Sequence, residues 1–280
     1  MLRITPGTTR DVNAVLGELE WISFLAQHHV DVACPIPSVE GRIVEVVESG
    51  GIHFLAVLFE RAPGRSVEPD DWTPEFFVEW GRVLGRMHRL QSEFVPSRPE
   101  YDRPQWGEEY TIVAAPEVLA GDPEILGMHH ALVNEVNSLP ADPESFGLIH
   151  SDFEDENFFL DGTRITAFDF EESQYHWFAY DIASVLREGN WRLPFRSGDR
   201  EQGLRSFGEH FLRGYREEKS IEPFWLKQIP LFARLREVCC YVYFIGKREW
   251  SELSPDDKRG IALMRDQIRS SFSPYDIDLS

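Results

Sequence analysis

Polar groups crowd one β-prone stretch of the chain. His150-Ser151-Asp152 closes an apolar run, Asn157 follows five residues after Asp152, and Asp169 ends the second arm of a hairpin. Asp169 and Asn157 are hard oxygen donors of the kind that suits Mg²⁺, a cation that keeps several waters and binds phosphate oxygens. Asp152 is placed to accept a proton from a substrate hydroxyl as that oxygen attacks a γ-phosphate. The pattern is that of phosphoryl transfer: reactants are positioned, charge is neutralised by metal and the nucleophile is oriented. His150 reads better as a hydrogen-bonded imidazole that pins the loop than as an acid or base.

The elements that must position these groups fall into two regimes. The first 60 residues read strand, helix, strand, strand. A short strand covers 2–5, and a helix N-capped by Asp11 runs to about 27 with Val12, Val15, Leu16, Leu19, Ile22 and Leu25 on one face. Cys34-Pro35-Ile36-Pro37 breaks that pattern, and strands over 42–48 and 52–60 flank the turn Ser49-Gly50-Gly51. Helical patterns follow over 74–90 and 123–139, with a proline-rich loop over 96–104 and three further helical segments after Tyr180. One β-rich island, 147–170, interrupts them, and in it Asp161-Gly162 turns a hairpin between 158–160 and 165–168. The spacing predicts no internal repeat and no low-complexity tract.

Composition narrows the function classes. The 280 residues carry 48 acidic and 28 basic side chains, a formal charge of −20 spread along the chain. Such a surface repels phosphate backbones, which argues against nucleic-acid binding. With 42% hydrophobic and 13% aromatic residues, the chain has enough apolar content for a real core. Three cysteines, Cys34, Cys239 and Cys240, have neither zinc spacing nor a disulfide framework, so a reducing cytoplasm is expected. No signal peptide and no membrane-spanning run of ~20 apolar residues is expected either.

The pattern His150-x-Asp152, four residues, Asn157, a short hairpin and Asp169-Phe170 resembles the catalytic core of the aminoglycoside phosphotransferase and choline kinase family, small-molecule relatives of the protein kinases. Tyr180-Asp181-Ile182-Ala183 is similar to the Asp-Leu-Ala signature that follows, and Gly81 to His88 resembles the family's Leu-Ala-x-Leu-His helix. Together these cover residues 2–186 in the family's order. The resemblance implies an α+β, protein-kinase-like fold of two lobes: 1–62 as the nucleotide-binding lobe and 63–280 as a mainly helical lobe with the catalytic loop and substrate site.

It further implies Asp152 as catalytic base, Asn157 and Asp169 as Mg²⁺ ligands, and His150 and Asp181 as supports of the loop. Arg3 falls where the family has a nucleotide-positioning Lys or Arg, with Glu18 as its acidic partner; the other reading of Arg3 is an exposed charge on a terminal strand. Phe59, Glu60 and Ala62 fall at the hinge, where backbone groups face adenine. Two departures stand out. Ser151 replaces the family's usual Gly, a strained choice if the position needs positive φ. The glycine-rich hairpin that roofs the nucleotide is not found ahead of Arg3, which reads as a late start or a truncated lobe.

The expected function is ATP- and Mg²⁺-dependent transfer of a γ-phosphate to a hydroxyl of a small acceptor. The alternative is a catalytically weak or inactive kinase-fold protein that binds or regulates. A metal-only hydrolase is a weaker third reading. Glu154, Asp155, Glu156, Glu171 and Glu172 beside the catalytic loop could receive an amine-bearing acceptor, or be plain solvated acidity. Trp177, Trp191, Phe195 and Trp225 read as core rather than as an acceptor pocket.

Overall fold

The computed structural model describes residues 1–192, 200–247, 251 and 253–270, without the side chains of residues 190, 191 and 200. Four strands build the N-terminal sheet: β1 (Leu2–Pro6), β2 (Pro35–Ile36), β3 (Glu45–Ser49) and β4 (Ile52–Phe59). The long strand β4 organises them. It pairs antiparallel with β1 from Leu2↔Leu58 to Pro6↔Phe54, with β3 from Glu45↔Ala56 to Ser49↔Ile52, and at its end with β2. Gly50 and Gly51 both have positive φ, which closes the β3–β4 hairpin. Leu55, Val57 and Phe59 point into the core while Leu58 is exposed, the two-residue alternation of a half-buried strand. β1 lies at the sheet's edge with Leu2 and Ile4 exposed. Helix α1 (Val12–Gln27) begins where the Asp11 side chain accepts from the N–H groups of Asn13 and Ala14, and it buries Val15, Leu19, Ile22 and Leu25.

Beyond Ala62 the chain is mainly helical. Helix α2 (Pro74–Leu90) starts at the Thr73 cap; α3 (Tyr110–Val113), α4 (Ala115–Val118) and α5 (Pro123–Asn137) follow. Then come β5 (Phe146–Ile149), the hairpin β6 (Phe158–Asp161) and β7 (Arg164–Ala167), and β8 (Gln174–Trp177), which pairs back onto β5. Helices α6 (Phe178–Arg192), α7 (Arg200–Glu218), α8 (Pro223–Leu226), α9 (Ile229–Lys247) and α10 (Pro255–Arg269) complete the described chain. One hydrophobic core runs from Val15 and Trp21 under the sheet through Trp80, Phe158 and Phe170 to Phe207 and Phe232, and a smaller one joins α5, α9 and α10. Bridges Val32↔Ala167 and Arg65↔Leu160 tie the N-terminal sheet's connections to the β6–β7 hairpin. No helix among the described residues is long and apolar enough to cross a membrane.

Several expectations need correction. The helix does end before residues 34–37, but residues 35 and 36 form a strand that was not expected, β2, because an extended X-Pro segment can still pair with a neighbouring strand's end. The strand expected from 42 begins at Glu45, Arg42 turning instead to ion-pair with Glu45. The island's first strand stops at Ile149, and its true partner is β8, a segment the local pattern did not single out. The loop over 96–104 contains a short 3₁₀ turn, Pro99–Tyr101. Among the described residues, five helical segments rather than three follow β8.

Candidate active site

The loop that follows β5 hangs from a buried carboxylate. Asp181, in the first turn of α6, is fully buried; its Oδ2 accepts from the His150 N–H at 3.0 Å and its Oδ1 from the Ser151 N–H at 2.9 Å. The His88 Nε2 on α2 reaches the same carboxylate at 3.1 Å, and its Nδ1 meets the Tyr215 hydroxyl of α7 at 2.9 Å. Three helices therefore converge on the loop's anchor. Ser151 has φ of 75°, the left-handed region that favours glycine, and the bonds that over-determine it are the one to Asp181 and the Gln174 Nε2 donating to its hydroxyl at 2.7 Å. The His150 ring lies within reach of the Phe168 carbonyl through Nε2 (3.2 Å) and accepts from the Asp152 N–H through Nδ1 (3.3 Å). Burial pushes its pKa down, so the ring is a neutral brace between the loop and β7's exit.

Asp152 is held at both carboxylate oxygens. The Asn157 side-chain amide donates to its Oδ2 at 2.9 Å and to its backbone carbonyl at 2.7 Å. Arg236 of α9 donates through Nη2 to its Oδ1 and reaches Glu154 at 3.3 Å. Glu154 in turn lies 3.6 Å from Arg187 of α6, which donates to Glu237 of α9 at 2.6 Å. The loop is thus stitched to both helices by alternating charges. Each carboxylate oxygen of Asp152 carries a second lone pair, so the group remains able to accept a hydroxyl proton.

Asp169 follows β7 with φ of 63°, a conformation that Asp tolerates better than most residues. Though the residue is open to solvent along the cleft, desolvation of its carboxyl, with Glu171 and to a lesser degree Glu18 and Asp152 adding negative charge, raises its pKa to about 6 against the pull of Arg3. Such uncompensated charge suits a divalent cation. Because Asn157 turns its Nδ2 towards Asp152, its Oδ1 faces away and is the atom left to ligate. No cluster of three or more His, Cys, Asp or Glu able to hold a metal occurs among the described residues. Two oxygen ligands are what a cation sharing its shell with waters and phosphates requires, so the residues present fit Mg²⁺.

Arg3 on β1 makes a bidentate pair with Glu18 of α1, at 2.7 and 2.8 Å, with Glu18 fully buried. It is not a loose charge on a terminal strand. Arg10 pairs with Glu172 at 2.9 Å and donates to the Glu171 carbonyl. The buried Arg103 donates to the carbonyls of Ala14, Glu171 and Ser173, clamping α1 to the segment after Asp169; burial lowers its pKa to about 10. At the other end of β4, the Phe59 N–H and C=O both pair with Met1, and the Glu60 N–H donates to the Cys34 carbonyl at 2.8 Å. The backbone groups expected of Phe59 are therefore used inside the sheet. Ala62 lies buried at the start of the crossing segment.

Two clefts open beside these groups. One, of about 620 Å³, is bounded by Arg3, Arg10 and Asp169; the other, of about 390 Å³, by Asp152, Arg236, Tyr180 and Phe244. Glu109, Asp169, Glu171, Glu172, Gln174 and Tyr243 line both. Of the acidic residues singled out in the sequence, Asp155 and Glu156 pair with Arg192, Glu154 with Arg236 and Arg187, and Glu171 and Glu172 with Arg10. Trp177 and Trp225 are core residues, while Phe195 and the Trp191 side chain lie outside the described residues. Arg236, Glu109 and Gln174 were not legible beforehand; their only local signals were a cation in an aromatic run, one acid before a short helix and a polar residue in an unrecognised strand.

Comparison with known proteins agrees with this geometry. Residues 1–221 match the model of a family described as "Phosphotransferase enzyme family". The chain is 34% identical over 281 residues to amicoumacin kinase of Bacillus subtilis (strain 168), covering 100% of this chain and 84% of that protein. Among solved structures it is similar to amicoumacin kinase hAmiN in complex with AMP-PNP, Ca²⁺ and Ami, with a TM-score of 0.92 and 32% identity over 99% of this chain and 83% of that one. The microcompartment-associated aminopropanol kinase shares the fold, with a TM-score of 0.75 and 20% identity over 100% of this chain and 87% of that one.

Proposed function

The chain belongs to the phosphotransferase enzyme family, and we propose that it moves the γ-phosphate of ATP to a hydroxyl of a small, amine-bearing molecule, with Mg²⁺ as the divalent cation. The observation that carries this reading is the Asp152 carboxylate, pinned on one side by Arg236 and on the other by Asn157, close enough to Asp169 to raise its pKa. A complex of a 32% identical kinase with AMP-PNP and Ca²⁺ supports the use of nucleotide and a divalent cation.

In this reading residues 1–62 carry the nucleotide lobe and 63–280 the acceptor lobe. Arg3, fixed by Glu18, presents its guanidinium to the nucleotide phosphates. The Glu60 carbonyl and the backbone at Ala62 are the hinge groups left for adenine. Asn157 Oδ1 and an Asp169 oxygen hold the cation, which when bound neutralises charge on the phosphate oxygens. Asp152 orients the acceptor hydroxyl and takes its proton as the new O–P bond forms and ADP leaves. His150 and Asp181 hold the loop's geometry without touching substrate. The acidic surface argues against nucleic acid as a partner, and the cysteine usage favours the cytoplasm as the site of action.

The test is direct. With Mg²⁺ and ATP, Asp152→Asn should bind nucleotide as the wild type does and lose acceptor-dependent ADP release by at least about 10²-fold; retained turnover would remove Asp152 from the base's role.

A further inference from the structure

One carboxylate shared by the two clefts, outside the proposed cation site, makes no ion pair among the described residues. Of the four acidic residues that line both clefts, Asp169 is the cation ligand of the proposed site, and Glu171 and Glu172 are paired with Arg10. Glu109 is different. Its Oε2 accepts from the Thr111 N–H at 3.1 Å and from the Thr111 hydroxyl, and among the described residues no Lys, Arg or His lies within ion-pair distance and no donor reaches Oε1. Burial raises its pKa, with Glu172 adding to the effect against the Thr111 hydrogen bonds and the more distant charge of Arg236, so the ionised form gains from an incoming positive charge.

A second, independent observation points to the same place. Gln174, only 4% exposed, spends its Nε2 on Ser151 and leaves Oε1 buried with no hydrogen-bond partner. An orphaned buried acceptor costs free energy unless a ligand supplies a donor. Glu109 and Gln174 thus offer two acceptors, and the aromatic rings of Tyr243 and Tyr180 stand in the cleft wall beside them, where cations are favoured.

We propose that Glu109 and Gln174 form the ammonium subsite of the acceptor cleft and select a primary amine over a neutral or quaternary group. The inference rests on the phosphotransferase reading above. A primary ammonium has three N–H donors, enough for both acceptors; a trimethylated nitrogen carries the charge but no donor, and a hydroxyl carries a donor but no charge. Charge alone therefore does not satisfy the subsite, and neither does hydrogen bonding alone.

The experiment uses the full chain at neutral pH with serinol, N-trimethylserinol and glycerol, measured by calorimetric titration and by Mg²⁺- and ATP-dependent ADP release. Wild type should bind serinol at least about tenfold more tightly than either analogue. Glu109→Gln should abolish that preference while leaving ADP·Mg²⁺ binding unchanged. Gln174→Glu, which adds a second negative charge, should strengthen serinol over glycerol and serves as the check should Glu109→Gln fold poorly. Equal binding of the three by wild type, or an undiminished preference in Glu109→Gln, would overturn the subsite. An amine preference without ADP release from any hydroxyl acceptor would instead sink the phosphotransferase reading, and efficient phosphorylation of glycerol and serinol alike would sink the subsite alone.

Discussion

Asp152 and Arg236 form the contact on which the proposed chemistry turns. The guanidinium fixes one carboxylate oxygen, leaving the geometry of the proposed base dependent on a residue 84 positions away. Replacing Arg236 with Ala should lower kcat by about 10²-fold at most while KM for ATP stays put, because misplacement of a reacting group is what is lost; Arg236→Lys should recover part of it, and steady-state kinetics on the three proteins checks this. A different residue-scale prediction concerns His176, buried between Trp106, Tyr180 and Phe232 and held well below the ordinary histidine pKa by desolvation. Its folded pKa lies below the unfolded value near 6.5, so its contribution to stability is fully present above that pH and is lost as pH falls. Denaturant titrations between pH 7 and 5 should show wild type losing stability more steeply than His176→Phe, by up to about 1.4 kcal/mol per pH unit; equal slopes would mean the ring is not held neutral.

At the scale of elements, the anchor of the catalytic loop depends on how closely α2 and α7 approach. A Cβ at Gly214 of α7 would lie 1.8 Å from the Val78 carbonyl oxygen of α2, and one at Gly81 of α2 would lie 1.9 Å from the Phe211 carbonyl oxygen of α7. Gly214→Ala should push the helices apart, cost about 2 kcal/mol in stability and loosen the His88 and Tyr215 bonds behind Asp181, which chemical denaturation and turnover can report together. The same helices show what the sequence could and could not reveal. α1, α2 and the β3–β4 hairpin were legible because cap, period and turn are all local, and the 150–169 motif stood out by residue spacing alone. β8 was not, since its partner β5 lies across the whole β6–β7 hairpin, and four residues of Gln-Tyr-His-Trp carry no alternation strong enough to read alone. Arg236 and Glu109 were invisible for a related reason: their importance comes from elements far apart in the chain meeting at one loop, and nothing in their immediate neighbours encodes that meeting.

For the whole molecule, the charge of −20 has a local meaning. Most acidic residues near the loop are matched by arginines, and Asp169 and Glu109 are carboxylates of the shared cleft lining that make no ion pair among the described residues. Mg²⁺ should therefore raise the melting temperature of the full chain even without nucleotide, and Asp169→Asn should both stabilise the cation-free protein and remove that rise; thermal melts with and without Mg²⁺ test the pair of effects. The fold supplies a rigid frame for this, one core running beneath the sheet and through the helices, with Arg103 joining α1 to the segment after Asp169 and the Arg3–Glu18 pair joining α1 to β1. The most direct measurement of the central claim is ADP release from Mg²⁺·ATP with an amine-bearing alcohol as acceptor, wild type against Asp152→Asn. The account predicts acceptor-dependent release in the wild type and a loss of at least about 10²-fold in the variant; release that is independent of acceptor, or equal in the two proteins, would contradict it.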